Sequence, residues 1–267
     1  MASMPVLACL RDELVFSSGP PFGGLALPWD FVVILVALAI VVPWRGLVRV
    51  RALLARPQLS SAERISLYGS TIAVQWLAEG IIVWRAAARG LSAAALGLST
   101  EKPALAIVLG AAMAAVLASL QIASLRQLSR LPLEKRGHLY RVAARLMPQN
   151  LTEALVFVAL VGTVSLCEEL MYRGFAFAVF RELGGDSAAV AVAGSSALFA
   201  LGHLYQGRRG VASTFALGLL LAGARSWSGS LAPSIIAHLA VDLTAGLVGR
   251  RAAREGPGAG EAQAAGV

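Results

Sequence analysis

Seven stretches of this chain are apolar over close to the length of a membrane-spanning helix, and that feature limits what it can fold into more than any other. They run at about 29–47, 66–84, 103–120, 151–180, 187–204, 211–226 and 231–248. A helix rises about 1.5 Å per residue, so about 20 apolar residues cross a hydrocarbon core about 30 Å thick. In that solvent each backbone N–H and C=O must be paired, within a helix or in a closed barrel. None of the stretches shows the ten-residue alternation of a barrel strand, so helices remain. Only 14% of residues are charged, against roughly 25% in soluble domains. The expected fold is all-α: a polytopic membrane helix bundle of about seven transmembrane helices, or eight if one more span is concealed.

The chain holds 23 Lys and Arg against 15 Asp and Glu. No basic patch is interleaved with exposed aromatics, so the excess reads as the positive-inside signature and not as a nucleic-acid surface. Sixteen of the 23 basic residues fall in the first, third and fifth loops and the tail, grouped around Arg45 to Arg64, Arg126 to Arg145, Arg208 with Arg209, and Arg250 to Arg254. That bias expects the N-terminus outside and the C-terminus in the cytoplasm, in a multi-pass protein of the inner (plasma) membrane. Trp29, Trp44, Trp84 and Trp227 lie at window ends, as interfacial anchors do, while Trp76 lies inside the second window. Four regions follow. Residues 1–28 carry Arg11, Asp12 and Glu13 and lack the pattern of a cleaved signal. Three helices with basic loops fill 29–150, and a helical region bearing polar groups fills 151–249. The Gly- and Ala-rich tail, 250–267, reads as disordered. Cys9 and Cys167 are too far apart for a metal spacing or a disulfide framework. No internal repeat supports a transporter built from inverted halves.

A charged side chain inside a spanning helix costs at least ~2.5 kcal/mol on insertion scales, so each needs a partner or a role. The densest case is Cys167-Glu168-Glu169-Leu170-Met171-Tyr172-Arg173. Glu169 and Arg173, four apart, share a helix face and can pair. Glu168, turned by about 100°, is left without a local partner and suits a general base, although both glutamates could equally be packing groups matched to other helices. His203 ends the next window, and His238 with Asp242, again four apart, sits in the last. His138, among Lys135, Arg136 and Arg141, reads as surface in a charged loop. A fourth helix starting at Leu151 would lift Glu168 about 25 Å and away from His203. A membrane segment from about Val158 to Glu182 would instead bring Glu168, His203 and His238 together, in a polar, water-accessible cavity of the inner half. Gln75 and Glu79 share a face of the second helix and read as an interhelical hydrogen-bond pair, with a contact between Glu79 and Arg173 as the sharper alternative. Cys167, on another face, reads as inert packing. Ser165, Ser195 and Ser196 lack a Gly-x-Ser-x-Gly elbow, and Asp186 has no second intramembrane Asp to match it.

In order and spacing, Glu168-Glu169-x-x-x-Arg173, Phe199-x-x-x-His203 and His238-x-x-x-Asp242 resemble the CAAX-protease and bacteriocin-processing family, which includes CAAX prenyl protease 2 and lysostaphin-resistance-protein-like intramembrane proteases. The resemblance covers about 151–248, including Phe215, Gly218 and the run from Ser228 to Pro233, and would make 151–249 the catalytic helices. It implies a glutamate-type endopeptidase in which Glu168 and His203 position and deprotonate the attacking water. His238 and residue 242 would stabilise the oxyanion, with Glu169, Arg173 and Phe199 in support. Asp242 stands where Asn is the commoner family residue, and an ionised Asp cannot donate a hydrogen bond. It could orient His238, carry a proton or bind a metal. His203, His238 and Glu168 are also a plausible zinc set, but His-Glu-x-x-His is absent. The resemblance therefore favours a mechanism without cofactor, with the zinc-dependent protease and a non-catalytic membrane scaffold or immunity protein as alternatives. The implied partners are the lipid bilayer and a membrane-anchored protein or peptide cut near its C-terminus. The Ala, Gly and Arg bias looks bacterial, where prenylated termini are not expected and peptide maturation or removal of C-terminal sorting signals would fit.

Overall fold

The computed structural model describes residues 27–56, 58–132 and 135–254. The N-terminal segment read as lacking a cleaved signal and most of the tail read as disordered lie outside them. Among the described residues the chain is helical, with no strand. The long helices are α1 (Trp29–Ala55), α2 (Ser61–Ala88), α3 (Pro103–Ser129), α5 (Leu151–Leu183), α6 (Ala188–Gly202), α7 (Gly207–Ser228) and α8 (Ala232–Arg254), and α4 (Gly137–Leu146) is short. By length and composition α1, α3 and α5 can each cross a membrane, and α6 with α7, bent by 59° at the break between them, makes a fourth when taken as one span. α2 and α8 are long as well, at 28 and 23 residues, but charged side chains interrupt them. The outward faces are apolar: Ile40, Val108 and Leu120 are each at least 62% exposed, as expected of surfaces whose solvent is lipid.

Local chemistry explains the irregular points. Within α1 a widened turn, Ala37–Val41, precedes Pro43, which has no N–H to give and clashes with the carbonyl four residues back. At the start of α2 the Ser60 hydroxyl accepts from the Glu63 N–H while the Glu63 carboxylate accepts from the Ser60 N–H, a complete capping box. Between α3 and α5, α4 has charged residues on one face and Val142 buried on the other. His138, expected in a loop, lies in this helix, because the arginines around it alternate with Leu139, Val142 and Leu146 at helical spacing.

The helices that hold the polar residues are joined by buried charge and by aromatic packing. Arg64 of α2 donates to Glu153 of α5 from Nε at 2.8 Å and from Nη2 at 3.3 Å, with both side chains almost wholly buried. Glu153 also accepts from the Gln149 N–H and the Asn150 amide, so both carboxylate oxygens are used. Above this pair Tyr68 packs edge-on against Phe157. Phe31, Ile82, Met171, Phe175, Val179 and Leu198 then form the core in which α1, α2, α5 and α6 meet.

Breaking the buried pair leaves a bare charge. Arg64→Met should destabilise the protein by about 3–5 kcal/mol in detergent unfolding followed by tryptophan fluorescence, and adding Glu153→Met should recover at least half of that loss.

Candidate active site

α5 and α6 form a hairpin through 184–187, and the hairpin sets the depth of the first two site residues. Glu168 lies sixteen residues before Gly184 and His203 sixteen residues after Ser187, so both stand about 24 Å from the turn. The expectation that a helix starting at Leu151 would separate them is therefore corrected. The helix does begin at Leu151, capped by Asn150, and Glu168 and His203 still meet, because their common reference is the turn and not the start of α5. The third residue comes from a second tie. The Leu231 N–H donates to the Gly97 carbonyl at 2.9 Å, and a Cβ on Gly174 would stand 3.1 Å from the Leu96 carbonyl oxygen. Segment 96–97 thereby brings the start of α8 against Gly174. From that level Glu169 is five residues back along α5 and His238 seven residues along α8.

The helix widens at the site. Residues Glu169–Ala176 form a π-helical segment, a form that concentrates at functional sites. Within it Arg173 Nη1 donates to Glu169 Oε1 at 2.9 Å, and His238 Nδ1 donates to the same oxygen at 2.8 Å. Since Glu169 accepts from a guanidinium, the hydrogen of the second bond belongs to the imidazole, which fixes Nδ1 of His238 as a donor. The other nitrogen, Nε2, faces Asp242 Oδ2 at 3.6 Å. Both ring nitrogens thus look at carboxylates, Nδ1 through a hydrogen bond and Nε2 across a distance longer than one.

Phe199 explains its own motif. Its carbonyl takes the His203 Nδ1 hydrogen at 2.8 Å, so Nε2 of His203 is left as the basic nitrogen. Its ring carries the Arg173 guanidinium on one face, 4.0 Å from the centroid, and packs against Tyr172, His203 and His238 at 5.2, 4.5 and 6.0 Å. Nε2 of His203 stands 4.0 Å from Glu168 Oε2, an oxygen that is buried and has no hydrogen-bond partner. A single water spans such a gap.

Three further features could not be read from residue type and spacing. Glu168 does have a partner: Gln75 Nε2 of α2 donates to Oε1 at 3.3 Å. The polar pair on α2 hinted at this, since Gln75 is the member that reaches α5. Glu79 does not meet Arg173; it is 3% exposed and neither carboxylate oxygen has a partner. Tyr172 and Tyr205, beside Phe199 and His203, gave no signal, because a tyrosine in an apolar window looks like ordinary packing. Cys167 is buried and free. Among the described residues no three His, Cys, Asp or Glu side chains gather into a group able to hold a metal ion. A separate cavity of about 770 Å³ opens between Leu91, Arg181, Arg225 and Trp227. It begins at Phe177, about 13 Å along α5 from Glu168, and contains none of the clustered residues.

What the fold and the cluster define is a helical membrane protein in which carboxylates and histidines from α5, α6 and α8 are brought together. Residues 150–244 match the family model described as Rce1-like, type II CAAX prenyl endopeptidase. That segment, from the cap of α5 to just beyond Asp242, is similar to the Rce1-like CAAX prenyl endopeptidases, which supports a protease. No curated protein and no solved structure matches the chain.

Gln75 is the direct test of how Glu168 is held. Gln75→Leu should slow proteolysis about tenfold, the equivalent of one modest hydrogen bond to a charged group, while the melting temperature in detergent stays within a few degrees of wild type.

Proposed function

We propose that the protein is a multi-pass intramembrane endopeptidase that cuts a membrane-associated protein or peptide near its C-terminus with a water activated by Glu168 and His203. The observation that carries this reading is the 4.0 Å gap between Glu168 Oε2 and His203 Nε2, with Oε2 otherwise unbonded. A water in that gap gives one hydrogen to each group and points a lone pair outward. As it attacks the peptide carbonyl, the C–O bond forms, Glu168 takes the proton and the carbonyl oxygen becomes an oxyanion. Nε2 of His238, held from behind by Glu169, donates to that oxyanion. On collapse Glu168 returns the proton to the leaving nitrogen, the C–N bond breaks, and a carboxylic acid and an amine leave, the acid then giving its proton to solvent. No metal is needed in this cycle.

The same reading has seven spans with the N-terminus outside and the C-terminus in the cytoplasm. It is supported by the arginine-rich first, third and fifth loops and by the position of His203 at the break between α6 and α7, five residues before Arg208. The site would then open toward the cytoplasmic half of the bilayer, where the C-terminal segment of an anchored substrate can be presented. Prenylated C-termini fit the name of the family, and unprenylated sorting signals or peptide precursors fit the composition of this chain.

Comparative membrane proteomics of cells carrying the wild type and Glu168→Ala tests the reading. The variant should insert and fold normally, and at least one membrane protein should keep a longer C-terminus, with cleavage slowed by about 100-fold or more. Identical C-termini in the two strains would remove the catalytic role of Glu168. Addition of 1,10-phenanthroline to the purified protein should leave the wild-type rate unchanged, whereas a zinc-dependent reaction would stop.

A further inference from the structure

Among the described residues, one buried cation has no counter-charge. Arg225, in the last turn of α7, is 5% exposed and forms no ion pair, whereas the other two buried arginines, Arg64 and Arg173, each hold a carboxylate. Its Nη2 donates to the carbonyls of Ala94 and Ala95 at 3.3 and 2.9 Å, and its guanidinium lies 5.3 Å from the centroid of the Phe177 ring. Gly97, at φ +75°, lets the chain wrap this closely, since a Cβ there would run into Nε. These contacts hold the group without neutralising it. Nε is sealed and unbonded, and Nη1, which makes no hydrogen bond among the described residues, is left to the cavity that Arg225 lines. A buried charge without a partner is strongly unfavourable, so the matching charge must come from outside the chain.

The cavity measures about 770 Å³, within the ~300–1,000 Å³ of small-ligand sites. Three cations line it, Arg225, Arg181 and Lys102, with three acids, Glu101, Glu182 and Asp186. The charged side chain that bears on Arg225 is Arg181, a second cation, so an anion belongs at this end. Asp186 is taken by Arg181 at 2.6 Å, which leaves Glu101 and Glu182 unpaired among the described residues. Of these Glu182 is the less exposed. A simple anion would sit beside unmatched carboxylates, whereas a group carrying both an anion and a cation matches both ends.

The place of the cavity in the fold shows where such a group comes from. It lies where α5 and α7 end and where the chain enters α3. Trp227 on its lining and Trp84 near the end of α2 are 71% and 64% exposed, as tryptophans at the headgroup level are. At that depth the bilayer presents phosphodiesters, many of them bearing an ammonium, and the guanidinium fork matches phosphate geometry.

We propose that this cavity binds one zwitterionic phospholipid, its phosphate on Nη1 of Arg225 beside Arg181 and its ammonium at Glu182. The site is distinct from the Glu168 and His203 gap and does not depend on the proteolytic reading.

Native mass spectrometry of the full chain, released from detergent after incubation with equal amounts of phosphatidylethanolamine and phosphatidylglycerol, tests the proposal. The wild type should retain one lipid and favour phosphatidylethanolamine by about tenfold, the worth of one charge-assisted hydrogen bond. Arg225→Gln should retain either lipid about tenfold less, and Glu182→Gln should still retain a lipid but lose the preference. Undiminished retention by Arg225→Gln, or phosphatidylglycerol held as well as phosphatidylethanolamine by the wild type, would overturn the site. Arg225→Gln also releases the carbonyls of Ala94 and Ala95. Should it fail to fold, Glu182→Gln decides alone, and an unchanged preference in that variant overturns the proposal. Soluble O-phosphorylethanolamine raising the melting temperature as much as the lipid at the same concentration would overturn the lipid and give the cavity to a free phosphate ester.

Discussion

One carboxylate oxygen holds the site together. Glu169 Oε1 accepts from Arg173 and from His238 at once, and none of the three side chains is more than 5% exposed. An acid, a guanidinium and an imidazole are each expensive to bury alone and tolerable only as a set with its hydrogen bonds made. Arg173 is further steadied by the face of Phe199. Once Glu169 is committed in this way, α8 is fixed against α5, Nδ1 of His238 is fixed as a donor, and Glu168 on the neighbouring face is left to Gln75 and to the gap before His203. The Glu168 carboxylate keeps an oxygen open while its neighbour in sequence is committed.

Much of the fold was legible because the bilayer imposes a length on whatever crosses it. Each of the seven apolar windows corresponds to a long helix, and Ser60, Asn150 and Ser187 cap helices as such residues should. α4 escaped because its arginines read as loop, although its apolar residues recur at helical spacing. The site residues were visible as ionisable groups where none should be, and their grouping came from a family pattern more than from geometry. Their common depth was harder. Counting from the start of α5 separates Glu168 from His203, whereas counting from the hairpin makes them level, and nothing in the residues says which end is the right reference. Gln75, Tyr172 and Tyr205 belong to contacts between elements far apart in sequence, which periodicity does not encode.

The arrangement separates two tasks that would conflict in a single group. Groups that fix the architecture, Arg64 with Glu153 and Glu169 with Arg173, have their charges matched, and the first pair has both carboxylate oxygens bonded. Groups facing the gap keep an atom unbonded: Oε2 of Glu168, Nε2 of His203 and, on the third turn of α8, the loosely held Asp242, whose side chain is 34% exposed. Unsatisfied polar atoms in an apolar interior are unstable by themselves.

The π-helical segment Glu169–Ala176 has a consequence for how such a sequence can drift. A π segment holds more residues than the α-helical turns it replaces, so it is an insertion absorbed without a loop. Removing one residue there would let the helix relax to ordinary winding and turn Glu168 by about 100° relative to Phe175 and the core beyond it. Residues in the 184–187 connection are under no such constraint, provided that the two helices keep their heights. Side chains around this site can therefore be exchanged one at a time, and loops can lengthen, but the number of residues between Glu168 and the core is fixed, like the count of teeth on a gear.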